Sequence, residues 1–112
     1  MGRNPHEVRS FSPRPLVDSY TRSLWWMFAS SAGALSRVRI VSALRERPRN
    51  ALQLSKDLGL DYGTIRHHLR VLEKNRLIEA GGPAYGRVYS LSQNLDDHWQ
   101  VMERILERVR AK

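Results

Sequence analysis

The chain has 112 residues, is 41% hydrophobic, contains no cysteine and carries a formal net charge of +8 at pH 7. That length holds one domain with a thin core, and the lack of cysteine excludes a disulfide framework, a thiolate metal site and a zinc finger. The charge is uneven: residues 1–36 set four Arg against Glu7 and Asp18, residues 37–90 set eleven Lys/Arg against five carboxylates, and residues 91–112 are balanced. A basic centre of this kind suits a polyanion-binding module joined to segments with another task. The plainer reading is a generally basic surface.

In chain order, residues 1–15 hold three Pro and three Arg with little apolar periodicity, and predict a flexible basic arm. Leu16 to Leu35 predicts a first helix, with Leu16, Tyr20, Leu24 and Met27 on one stripe and Trp25, Phe28, Ala32 and Leu35 on the next. Its apolar run Leu24–Leu35 is too short to span a bilayer and is interrupted by Ser30 and Ser31. A cytoplasmic protein without a membrane anchor is expected. Arg37–Arg47 predicts a second helix with Ile40, Val41 and Leu44 inward, stopped by Pro48. Asn50 is a suitable N-cap for a short helix, Ala51–Leu58, that Gly59 ends. Asp61 then opens a helix from Tyr62 to Asn75 with Ile65, Leu69 and Leu72 as its core face and Val71 beside it. Leu77–Ala80 and Arg87–Leu91 predict two strands joined through a Gly- and Pro-rich turn, making a β-hairpin. Asp96–Ala111 predicts a last helix with acidic residues first and Arg104, Arg108 and Arg110 toward its end, as the helix dipole favours.

The informative unit is residues 37–91. Gly59-Leu60-Asp61 joins two helices tightly enough for Leu54, Leu58, Ile65 and Leu69 to pack together. The second helix then turns Tyr62, Thr64, Arg66, His67, Arg70 and Lys74 outward. A helix fits the major groove of DNA. There Arg66 can reach O6 and N7 of one guanine, Thr64 and His67 can make shorter contacts, and Tyr62 can meet a phosphate or a thymine methyl. Arg70, Lys74 and Arg76 suit phosphates. The competing reading is the ordinary solvated face of an amphipathic helix.

Arg39-Ile40-Val41-x-x-Leu44, Leu54-Ser55-x-x-Leu58-Gly59-Leu60, Thr64-Ile65-x-His67-His68-Leu69-x-x-Leu72, Leu77-Ile78 and Arg87-Val88-Tyr89-x-Leu91 follow one another here. With these runs, residues 37–91 resemble the winged-helix core of ArsR-type regulators. The resemblance implies a recognition helix at Tyr62–Asn75, a wing at Glu79–Tyr89 that brings Tyr85 and Arg87 to DNA, and a symmetric dimer. The expected fold is mainly α with a small β-hairpin (α+β), a winged helix-turn-helix with extra N- and C-terminal dimerisation helices. Residues 16–112 form its single domain, 37–91 the DNA-binding core, and 16–36 and 95–111 the dimerisation helices. The expected function is a sequence-specific regulator of transcription that binds double-stranded DNA and represses as a homodimer. The alternative is an architectural, protein-binding or RNA-binding winged helix without operator preference.

Leu95, Trp99, Met102, Leu106 and Val109 fall on a heptad seam that Val101 and Ile105 widen. Docking on the first helix accounts for part of that surface, and a second subunit accounts for more. The expected dimer interface is therefore Leu24, Trp25 and Phe28 with Leu95, Trp99, Met102, Leu106 and Val109. No cofactor or metal is expected. Asp96-x-His98 matches only half of the terminal-helix metal site that the resemblance suggests, because Val109 and Lys112 stand where its other ligands belong. No glycine-rich phosphate loop, paired-carboxylate motif or cysteine nucleophile points to an enzyme, and no pocket signature names an effector.

Overall fold

A computed structural model describes residues 18–30 and 32–110. The proposed arm at 1–15, the start of the first predicted helix at Leu16 and the end of the last predicted helix at Ala111 lie outside the described residues. Helix α1 (Ser19–Trp25) begins where the Asp18 carboxylate accepts the Thr21 N–H at 2.7 Å. It runs into a π-helical turn, Trp26–Ser30. The predicted single helix to Leu35 is not formed. Gly33 takes a left-handed φ of +79° and separates the turn from α2 (Ala34–Glu46). Leu35 therefore belongs to α2, which starts three residues before the predicted Arg37, and Leu35 stands exposed.

Helix α2 buries Arg37, Val38, Ile40, Val41, Ala43 and Leu44. It ends as Arg47 swings to extended backbone ahead of Pro48. The next residues, Arg49–Asn50, form a short strand, β1, that the hairpin reading missed. Asn50 also closes α3 (Ala51–Leu58) as foreseen: its side chain accepts the Gln53 N–H and Gln53 returns the bond to the Asn50 N–H, each at 2.8 Å. Gly59, at φ +67°, ends the helix. Asp61 caps α4 (Tyr62–Lys74), whose Ile65, His68, Leu69 and Leu72 are buried and whose Val71 is half-buried.

Strands β2 (Ile78–Gly81) and β3 (Val88–Leu91) pair antiparallel, each entered one residue later than predicted. β1 joins the other edge of β3, giving the order β1-β3-β2 with Arg49 opposite Tyr89 and Asn50 opposite Val88. The last helix is also two. Ser92 accepts the Leu95 N–H and starts α5 (Gln93–Asp97), and after His98 the chain resumes as α6 (Trp99–Arg110). Asp96 and Asp97 thus end a short helix rather than open a long one.

One continuous core runs from Leu24 and Phe28 through Ile40, Leu54, Ile65 and Leu69 to Leu95, Met102 and Ile105. Burying each of these side chains is worth about 1.5–3 kcal/mol. Helix α6 packs on both α1 and the π turn. This corrects the predicted dimer interface. Leu24, Phe28, Leu95 and Met102 have no exposed surface and Trp99 only 8%, so the seam is occupied within the protomer. Trp25, Leu106 and Val109 remain half-buried, while Trp26 and Leu35 are exposed.

Candidate nucleic-acid interface

Helix α4 presents two unlike faces. Ile65, Leu69 and Leu72 recur every four and three residues and bury one side, so Tyr62, Thr64, Arg66, His67, Arg70 and Lys74 emerge on the other, all exposed. The core packing of α3 against α4 holds that face outward. Arg66 Nη1 donates to the Tyr62 hydroxyl at 3.3 Å, and its guanidinium carbon lies 5.9 Å from the Tyr62 ring centroid. The pair leaves further guanidinium donors pointing to solvent, and the hydroxyl contact raises the arginine above its ordinary pKa, keeping it charged.

The ion pairs among the described residues are made by Arg45 and Arg49. None involves Arg66, Arg70, Lys74, Arg76 or Arg87. Those five cations therefore keep their charge available to an outside anion.

Arg76 follows the helix with φ +61°, the one non-glycine residue with positive φ among the described residues. Its N–H bonds the Glu73 carbonyl at 2.9 Å and the Leu77 N–H bonds the Leu72 carbonyl at 2.9 Å, a Schellman-type ending normally given to Gly. Holding an arginine there costs about 1–2 kcal/mol, and such strain gathers at functional positions.

Across from α4, the wing carries Tyr85, which is 94% exposed, and Arg87, which is half-buried with its Nε shielded and unbonded. Tyr62 and Arg66 from the helix and Tyr85 and Arg87 from the wing line one cleft of 660 Å³, together with Asn50, Leu52 and Tyr89. Thus four of the nine predicted contact residues share a cleft, and Thr64, His67, Arg70, Lys74 and Arg76 extend along or just beyond the helix. Leu52 was missed. Its signal was present in the sequence: it falls out of phase with Ala51, Leu54 and Leu58, so an apolar residue there has no core position to occupy.

The histidines divide. His67 is exposed on the outer face, and His68 is buried behind it with ring centroids 5.3 Å apart. Burial, then the Arg37 charge, then His67 push the His68 pKa below the ordinary imidazole value. His98 is half-buried, packs its ring at a tilt against Tyr20 with centroids 4.7 Å apart, and uses Nδ1 to donate to the Asn94 carbonyl at 2.8 Å. Among the described residues no group of three or more His, Cys, Asp or Glu is placed to hold a metal ion. No helix among them is long and apolar enough to cross a membrane.

Residues 36–80 match the family model described as bacterial regulatory protein, arsR family. No curated protein matches the chain in sequence. Among solved structures, the chain is similar to Rv0081 of M. tuberculosis at 23% identity and TM-score 0.64, over 82% of this chain and 90% of that one. It is also similar to the transcriptional regulator HlyU of Vibrio vulnificus, at 17% identity and TM-score 0.59 over 78% and 88% of the two chains. The AntR antimony-specific transcriptional repressor aligns at 17% identity and TM-score 0.65, over 92% and 95%. At these identities the structural likenesses establish the fold.

Proposed function

We propose that this chain, whose residues 36–80 match the family model described as bacterial regulatory protein, arsR family, is a winged helix-turn-helix regulator of that type and represses transcription in the cytoplasm by occupying promoter DNA as a homodimer. Helix α4 enters the major groove, where Arg66 meets a guanine and Thr64 and His67 contact neighbouring bases. Arg70, Lys74 and Arg76 hold phosphates, and Tyr85 and Arg87 follow the adjoining backbone from the wing. The observation that carries this reading is the exposed face of α4, whose cations lack carboxylate partners among the described residues and which shares a cleft with the wing.

The dimer forms through the apolar surface that the protomer leaves uncovered. Leu35, Leu58, Leu106 and Val109 line one groove of 470 Å³ between α2, α3 and α6. Trp25 and Trp26 lie on the π turn and the helix before it. A two-fold partner would also set two recognition helices one helical turn of DNA apart.

Selection of bound sequences from random duplexes, read against Arg66→Ala, tests the function. A recovered palindrome for the wild type and relaxed preference at one base pair for the variant are the expected results. Binding without sequence preference would make the protein architectural, and no duplex binding would refute the reading.

A further inference from the structure

Arg37 is a buried cation with 4% of its surface exposed. A guanidinium has five donors, accepts nothing and does not lose its proton inside a protein. Burying it requires acceptors around it. Its Nε donates to the Met27 carbonyl and its Nη2 to the Ala32 carbonyl, each at 3.1 Å, so it gathers the π turn and the link that follows. Its Nη1 lies 3.4 Å from Nδ1 of His68, on the buried side of α4. Since the guanidinium can only donate, that nitrogen must present its lone pair.

We infer that Arg37 is a positioning residue for DNA binding: it ties the π turn to unprotonated His68, and protonating His68 breaks the tie and lets the recognition helix shift. The inference rests on the proposed DNA-binding reading, because its consequence is felt at the outer face of the same helix. Arg66 and Arg70 each stand two residues from His68, so a small rotation of α4 moves both.

The space leaves the histidine little choice. A Cβ on Gly33 would fall 2.7 Å from His68 Cε1 and 3.3 Å from Arg37 Nη1, so the left-handed turn is packed against both groups. The charged and titratable groups that act on His68 are Arg37 from α2 and His67 from its own helix, and no carboxylate among the described residues acts on it. A proton on Nδ1 would set two cations in contact away from water. Its folded-state pKa is depressed, so the neutral form belongs to the folded protein. The contribution of His68 to stability is fully present above the ordinary imidazole value of 6.5 and is lost as the pH falls below it, where the unfolded chain takes up a proton that the folded one resists.

The test uses the full chain with His67→Gln as background, so that the exposed imidazole beside His68 on the same helix does not enter the comparison. H67Q and H67Q/H68Q are compared between about pH 8 and about pH 5, by affinity for a fluorescein-labelled random-sequence duplex at fixed salt and by Tm. Glutamine keeps a carbonyl for Arg37 and does not titrate. Affinity and Tm of H67Q should fall with acid, affinity by about tenfold beyond any change in H67Q/H68Q, the effect of roughly 1.4 kcal/mol of binding free energy. Parallel pH profiles in the two variants would overturn the inference. Should H68Q fail to fold, His68→Asn takes its place with the same two outcomes. If neither variant binds duplex at any pH, the DNA-binding reading has failed, and parallel or divergent Tm profiles still decide whether the tie to His68 exists.

Discussion

Between Asn50 and Leu77 each helix end is closed by a neighbour in sequence: Asn50 and Asp61 cap the starts, and Gly59 and Arg76 turn the chain out through positive φ. The flanking segments, 18–33 and 92–110, also have caps at Asp18 and Ser92, but each predicted helix divides in two. What holds their pieces comes from side chains of another element, α2. Arg37 gathers the carbonyls of Met27 and Ala32, and Arg45 reaches Asp96 at 3.1 Å while its guanidinium sits 4.7 Å over the Trp99 ring. The central motif is shaped by local chemistry. The flanks are shaped by the tertiary structure they complete.

Substitutions put that contrast to the test. Phe28→Ala should have the largest effect, a loss of about 3–5 kcal/mol, because the side chain lies in the protomer's own core. Chemical denaturation at several protein concentrations checks it. A loss that vanished on dilution would place Phe28 between subunits and erase the distinction drawn here. Asn50→Ala removes a capping box and should cost about 1 kcal/mol, with the loss confined to α3 and β1 in hydrogen exchange. Arg76→Gly should move stability the other way, a gain of about 1 kcal/mol as the strained φ is relieved, while duplex affinity falls and its salt dependence flattens by about one counterion. Calorimetry and a salt titration measure the two halves separately. Arg45→Gln should be the mildest, below about 1 kcal/mol, since both partners of its ion pair with Asp96 are roughly half exposed.

The same contrast explains what could be read from residues alone. Asn50, Gly59 and Asp61 announce helix ends within three or four positions of where they act, so the ends of α3 and the start of α4 were legible. The exposed face of α4 followed from the spacing of Ile65, Leu69 and Leu72. Gly33 was passed over because an apolar stripe ran across it, and periodicity carries no record of a left-handed turn. β1 was invisible since two residues give no alternation, and its pairing with β3 depends on a strand nearly forty positions away. The seam from Leu95 to Val109 correctly signalled burial. It could not say that α1 and the π turn would cover most of it. Nothing in the sequence marked Arg37 for burial, because the acceptors that make it buriable are backbone carbonyls, which every residue has.

Asn50 serves two neighbours at once: it caps α3 and stands opposite Val88 on the returning strand of the wing. The helix pair and the wing therefore behave like the jaws of a caliper locked at one opening. In the proposed complex, a duplex whose grooves do not match that gap has to bend or twist to fit, at a cost that depends on its own stiffness. Discrimination among target sites would then extend to base steps that no side chain touches.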